Sequence, residues 1–436
     1  MIEILPGSEF ARHPRISRIL ARRERIDPEV SRAVEVIIRR VREEGDRALR
    51  QLTRELDGVQ LRSIRIPFSD IKKRASAAPK EFRNALSRAR RNIEDFHRCQ
   101  VEKSWMISRR DGARVGQRLT PITALGLYVP GGTAAYPSTV LMNAVPARVA
   151  GVERTAVVTP PGTLAKSPYL AAALVEMELE EVYGVGGAQA VAALAFGTAS
   201  IPRVDKIVGP GNRYVAAAKQ MVYGTVDIDL IAGPSEVVVV ADSTANPRWI
   251  AADLLAQAEH DAEASAICIT NSSQLARKVQ AEIEAQLTRL ARNAICRKSI
   301  DDFGAIIVTQ SLTEAEKLVN DLAPEHLELH LRQPEHFSRR VRNAGAIFIG
   351  SYSPEAVGDY FAGANHVLPT SGTARFSSPL GVYDFVKRTS IIRYSRKRLE
   401  KDAQAIIHLA RAEQLMAHAR SIETRLMEGG RHKPHE

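Results

Sequence analysis

Apolar and charged positions recur at helical spacing over residues 28–56, with Gly45 as a predicted break, and residues 79–104 repeat the pattern in one long charged stretch. The front of the chain is therefore predicted to be mostly helical. The run SWMISRRDGARVGQRL then sets an Asp111–Gly112 pair between alternating flanks, which predicts a β-hairpin. From about residue 122 the texture changes to short apolar runs, ALGLYVP, RTAVVTP, EVYGVGG and VDKIVGP, separated by STVLMNAVPARVAG, YLAAALVEM and AQAVAALAFG. Strand and helix alternating in this way predict a parallel sheet. A second series, EVVVVAD, SAICIT, GAIIVTQ, LELHL and GAIFIG, follows, with helices expected at 247–259, 273–291 and 312–321. Two α/β domains are expected. From about 396 the chain becomes a charged amphipathic helix or helix pair ending in the polar EGGRHKPHE. A terminal helix of this kind docks on its own domain or reaches another subunit.

Composition narrows the class. With 44% hydrophobic and 25% charged residues, and no run near the ~20 apolar residues of a membrane span, a globular chain with no membrane partner is expected. The opening MIEILPGSEFARHPRISRIL lacks the basic, apolar, small order of a signal peptide, so a cytoplasmic location is the expectation. Cys99, Cys268 and Cys296 are scattered and form no C-x-x-C pair, so any metal would have to use nitrogen and oxygen ligands. The net charge of +11 and runs such as LSRARRN and VIIRRVREEGDR raise the question of nucleic acid. The same runs interleave Glu and Asp, and no reader motif or aromatic platform accompanies them. They read as solvated helix faces, and no nucleic-acid partner is expected.

Candidate chemistry lies in two places. Glycine-rich turns at 128–138, 184–190, 209–219 and 232–237 read as strand ends, where backbone can approach a phosphate and helix N-termini favour its charge. None is a strict G-x-G-x-x-G or P-loop, so each alone is a weak signal, but together they favour a nucleotide or another anionic ligand. The second place is ADLLAQAEHDAEA, where Ile250, Ala251, Leu254, Leu255 and Ala258 make a core stripe and Gln257 and His260 fall on its flank. These two are either a polar helix edge or half of a metal site. NDLAPEHLELHL adds Glu325 and His326 at a strand start, AVGDYFAGANHVLP adds Asp359 and His366, and LARAEQLMAHARS adds Glu413 and His418 on the terminal helix. Gln257, His260, Asp359 and one further histidine would suit a divalent ion, zinc first. Spacing alone does not bring them together.

YVPGGTAAYPSTVLMNAVPA, GVGGAQAVAALAFGT, VGPGN, AGPSEV, LLAQAEHDAEA, APEHLEL, GDYFAGANHVLPT and GTARFSSPLGVYDFVKR resemble, in order and spacing, the histidinol dehydrogenases, over about residues 25–420. The resemblance implies NAD-dependent four-electron oxidation of L-histidinol through L-histidinaldehyde to L-histidine, the last step of histidine biosynthesis. It implies one zinc ion per subunit held by Gln257, His260 and Asp359, with His418 from the partner chain of a homodimer with shared active sites, and two NAD+ consumed per histidinol. Ser235, His366 and Glu413 match substrate contacts. His326 matches the proton-shuttling base, Glu325 the residue that activates water, and Tyr128, Gln189 and Asn212 the NAD contacts. The implied α/β fold has two incomplete Rossmann-like domains. Residues 1–24 are an N-terminal arm, 25–127 and 235–380 a discontinuous domain carrying the metal and catalytic residues, 128–234 the NAD-binding domain, and 381–436 a C-terminal helical tail reaching the partner. Two other readings stand beside this one: a paralogous zinc dehydrogenase of another small alcohol, such as a sulfonated propanediol, and a basic RNA-binding or regulatory protein on the same scaffold.

Overall fold

The computed structural model describes residues 1–21, 28–131, 136–231 and 233–427. Parts of two glycine-rich turns (132–135 and 232), the expected boundary at 24/25 and the polar tail EGGRHKPHE lie outside the described residues. The chain divides into a first unit, Met1–Val101 with Ile122–Phe385, and a second, Glu102–Pro121 with Val386–Glu436.

Each expected parallel strand forms. In the first unit one six-stranded sheet runs β1 (Glu3–Pro6), β12 (Gly304–Val308), β11 (Ser265–Thr270), β10 (Glu236–Ala241), β13 (His326–His330) and β14 (Ala346–Ile349), all pairs parallel. The other runs β2 (Arg65–Ile66), β7 (Glu181–Tyr183), β6 (Arg154–Val158), β5 (Ala124–Tyr128), β8 (Lys206–Val208) and β9 (Asp227–Ile228), parallel except at β2. Continuous apolar strands such as β10, buried at every position, result from helices covering both faces. The helix Pro247–Ala258 lies on one face of the first sheet, opened by Asn246, whose side chain accepts the Arg248 N–H at 2.9 Å, and by Pro247 in the first turn. Its stripe of Ile250, Ala251, Leu254, Leu255 and Ala258 is buried as the periodicity predicts.

The grouping of segments differs from the expectation. The resemblance implies one domain from 25–127 and 235–380, but β2 pairs with β7, and Val30, Val34, Leu49 and Ile71 pack into the two cores flanking the β5 sheet. Their apolar stripes pack against that sheet's own helices, Pro28–Glu44 on Gly187–Phe196 and Arg213–Val222, and Lys80–Arg98 on Pro137–Ala150. The expected N-terminal arm also differs: Glu3–Pro6 is an edge strand of the chain's own sheet, with Ile2, Leu5 and Phe10 buried. AGPSEV, read as a strand end, instead leads into β10. The Arg-rich front helices carry local ion pairs, Arg90 with Glu94 and Glu176 at 2.8 Å and Arg40 with Glu55 at 3.2 Å.

The second unit contains the expected hairpin, β3 (Trp105–Ser108) against β4 (Arg114–Pro121), with Gly112 at φ +87° in the turn. A strand not expected from the pattern, β15 (Val386–Arg393), pairs antiparallel with β4, so the region assigned as a helical tail begins with a strand. Two helices follow, Arg396–Ala412 and Met416–Met427. Among the described residues no helix is long and apolar enough to cross a membrane.

Candidate active site and metal centre

In the first unit, the elements around β10 and β13 gather the polar residues at the amino ends of the strands, not the carboxyl ends. Ser235 immediately precedes β10, Glu325 and His326 open β13, and Gln257 ends the helix that returns from β10. His326 is held by its neighbour strand: Nδ1 lies 3.1 Å from the Glu236 carbonyl oxygen, which can only accept, so the proton is on Nδ1. Nε2 is left as a bare lone pair, buried and without a hydrogen-bond partner. Burial pushes the imidazole down to about 3, so it stays neutral and basic in form at physiological pH. Glu325 is anchored beside it, its Oε2 accepting the Glu236 N–H at 2.9 Å, and burial raises its carboxyl well above the usual range.

The short helix Glu355–Tyr360 brings two more carboxylates. His326 Nε2 is 3.9 Å from Glu355 Oε1 and 3.9 Å from Asp359 Oδ1, and His260 Nε2 is 4.0 Å from Glu355 Oε1. His260, Glu355 and Asp359 each turn a ligand-type atom to within 4.8 Å of the others. Gln257, fully buried, is satisfied when its amide nitrogen faces Glu355, donating to both carboxylate oxygens at 2.8 and 2.6 Å. Burial lifts Asp359 to about 7, and burial together with Asp359, Glu325 and Glu328 lifts Glu355 well above its usual value. Crowded buried carboxylates whose nearby cationic partners are histidines are the electrostatic setting that a divalent cation relieves. The donor set, imidazole nitrogen and amide and carboxylate oxygen, fits zinc. His366 lies alongside, its Nδ1 donating to the Asp359 carbonyl oxygen at 3.1 Å.

Glu355 is the site residue that the sequence reading missed. Its signal was present: SPEAVGD opens a helix after a proline, and Glu355 and Asp359, four apart, share one helix face.

The three expected nucleotide contacts lie around the second sheet. Tyr128 ends β5 and its hydroxyl accepts the Gly187 N–H at 3.0 Å; Gln189 is in the first turn of Gly187–Phe196, its Oε1 buried without a partner. Asn212 caps Arg213–Val222, accepting from Tyr214 and Val215 N–H groups at 3.0 and 3.2 Å. All three lie at or just past strand carboxyl ends, with β5 and β8 flanking the point where strand order reverses. Gly209, φ +109°, lets this loop pass the Tyr128 carbonyl, which a Cβ would approach to 2.1 Å. Glu413 and His418 belong to the second unit and are exposed there. They are not on one helix as expected: Glu413 caps the first helix of the tail and His418 lies in the first turn of the next, the chain turning at Gln414 with φ +60°.

Comparison with known proteins adds an independent finding. Residues 20–426 match the family model described as histidinol dehydrogenase. The chain is 54% identical over 397 residues to a histidinol dehydrogenase of Halalkalibacterium halodurans, covering 90% of this chain and 93% of the relative. It is 52% identical over 404 residues to one of Geobacillus kaustophilus, covering 92% and 95%. A crystal structure of histidinol dehydrogenase from Elizabethkingia anophelis superposes with a TM-score of 0.91 at 34% identity, covering 99% of each chain.

Proposed function

The chain belongs to the histidinol dehydrogenase family, and on that premise we propose that it oxidises L-histidinol through L-histidinaldehyde to L-histidine with zinc and two NAD+, at sites shared between the subunits of a homodimer in the cytoplasm. Gln257, His260 and Asp359 would hold the zinc with His418 of the partner subunit, and Ser235, His366 and Glu413 would contact substrate. Tyr128, Gln189 and Asn212 would contact NAD. When bound, zinc would position and partly polarise the substrate, and NAD would supply the hydride acceptor.

The chain's own residues do the proton work. As a hydride leaves the carbinol carbon, the hydroxyl proton passes to His326 Nε2 and a C=O bond forms. Glu325 then takes a proton from water as its oxygen adds to the aldehyde carbon, and His326 returns its proton to the former carbonyl oxygen, giving the hydrate and freeing Nε2. His326 accepts the second hydroxyl proton as the second hydride leaves, and the acid results. Each hydride carries two electrons, four in all. The observation that carries this reading is the His326 imidazole, fixed through Nδ1 by a backbone carbonyl and facing the carboxylate cluster with an unprotonated, unpartnered Nε2. Glu325, buried and held above the usual carboxylate range, suits a group that takes and keeps a proton from water.

Glu325→Gln is the test. Aldehyde oxidation is expected to fall about 10²–10⁴-fold while the histidinol-to-aldehyde step is largely spared, measured as NADH formation from each substrate separately. Equal loss in both half-reactions would remove Glu325 from the water-activating role.

A further inference from the structure

Three elements meet at the candidate metal centre, and each sends a second group to one buried cluster. The strand β13 reads HLELH, and its alternation puts His326, Glu328 and His330 on one face while Leu327 and Leu329 enter the core on the other. From the helix Pro247–Ala258, Asp253 lies one turn before Gln257, and its Oδ2 comes to 3.4 Å from His330 Nε2. Glu328 Oε2 stands 3.4 Å from the same nitrogen. The other oxygen of Glu328, Oε1, accepts the Glu355 N–H at 2.6 Å, at the start of the helix that also carries Asp359. A continuous line of polar contacts therefore joins the helix of Gln257, the strand of His326 and the helix of Asp359.

The Glu328 and His330 side chains are each 1% exposed, and Asp253 is 14% exposed. Burial disfavours a charged imidazole, but Asp253 and Glu328 outweigh it and hold His330 up at about 9. At neutral pH the cluster is a cation between two anions. Stability alone is a weak reason for such a triad, because apolar side chains of similar volume are often as stable or more so. What apolar side chains would not supply is an acceptor for the Glu355 N–H, and Pro354 before it offers no side-chain cap. The helix Glu355–Tyr360 has six residues, fewer than two turns, so few of its own hydrogen bonds fix it. It depends on outside anchors. Glu328 holds its first residue, and at Gly358 the ring of Phe348 packs so close that a Cβ would meet it at 2.6 Å.

We propose that Asp253, His330 and Glu328 are positioning residues that set the separation of Gln257 from Asp359, and with it the fit of the catalytic ion. The inference rests on the ligand set proposed above and assigns no metal to the triad itself. Glu328 acts through the Glu355 backbone, and His330 holds Glu328 and Asp253 in place.

The full-length protein is stripped with chelator as wild type, His260→Ala, Glu328→Leu, Glu328→Gln and His330→Leu. Zinc affinity is measured by competition with a chromophoric chelator, and cobalt(II) spectra are recorded on the same proteins. Glu328→Leu and His330→Leu should weaken zinc about 10–100-fold, the range for losing a group that orients a metal ligand, and should shift the cobalt bands. Glu328→Gln, which keeps an acceptor oxygen for the Glu355 N–H, should recover most of the loss. A triad that serves stability alone lowers the urea midpoint and leaves zinc affinity at the wild-type value, and that result in Glu328→Leu overturns the proposal. Zinc affinity lost in His260→Ala but unchanged in Glu328→Leu overturns this inference alone. No zinc uptake by wild type, or uptake unchanged in His260→Ala, overturns the ligand set and this inference with it. If neither leucine variant folds, Asp253→Asn, the most exposed member of the triad, carries the test with the same two outcomes.

Discussion

A single buried imidazole shows how much the surroundings decide. His326 titrates near 3 when folded and about 6.5 when free, so below pH 6.5 the unfolded chain binds a proton that the folded one refuses. Its contribution to stability is level above that pH and declines as pH falls toward 3, by about 1.4 kcal/mol per pH unit. Replacing it by Gln should flatten the fall in urea midpoint between pH 6.5 and 5 in the metal-free protein; an unchanged slope would mean that His326 is not held neutral. Residue type and spacing made Gln257, His260, Glu325, His326 and Asp359 legible as candidates. Glu355 showed only its place on the helix face of Asp359; nothing local says that its carboxylate is buried against a glutamine about 100 positions earlier. Glu328 and His330 were hidden for the same reason, inside a strand that reads as apolar.

Elements were the most legible level. The runs from ALGLYVP to GAIFIG all became strands, and Gly45, at φ +55°, does separate two helices. What periodicity missed were the shortest strands, β2 and β9, two residues each, the edge strand β1, and β15, whose pairings depend on distant partners. The loop after β8 illustrates how an element positions chemistry. Gly209→Ala would meet the Tyr128 carbonyl as well as an unfavourable φ, whereas Gly224, φ +96°, has nothing within 4 Å of its would-be Cβ. Gly209→Ala is expected to cost about 2–4 kcal/mol and weaken NAD binding, and Gly224→Ala only about 1 kcal/mol, read from urea denaturation and NAD titration. Similar losses in both would place the cost in backbone strain alone.

At the scale of the molecule, the second unit presents Glu413 and His418 exposed, among exposed Leu409, Leu415 and Met416. Residues that complete a neighbour's site need this accessibility on their own chain. Mixing inactive His418→Ala and His326→Ala proteins should, by random assortment of dimers, recover about a quarter of wild-type activity. No recovery, with hybrids verified by mass spectrometry, would count against a shared site. The residue pattern by itself determined the α/β class, nearly every parallel strand, the helical stripes and the nitrogen and oxygen character of the candidate metal ligands. These depend on periodicity over a few neighbours, which burial on one face imposes locally. Only the tertiary structure decided that helices 28–98 pack on the helices flanking the β5 sheet, that the candidate site residues meet at amino ends of strands, and that Asp253, Glu328 and His330 converge. Those outcomes turn on which faces match between segments far apart in the chain, and no local pattern carries that information.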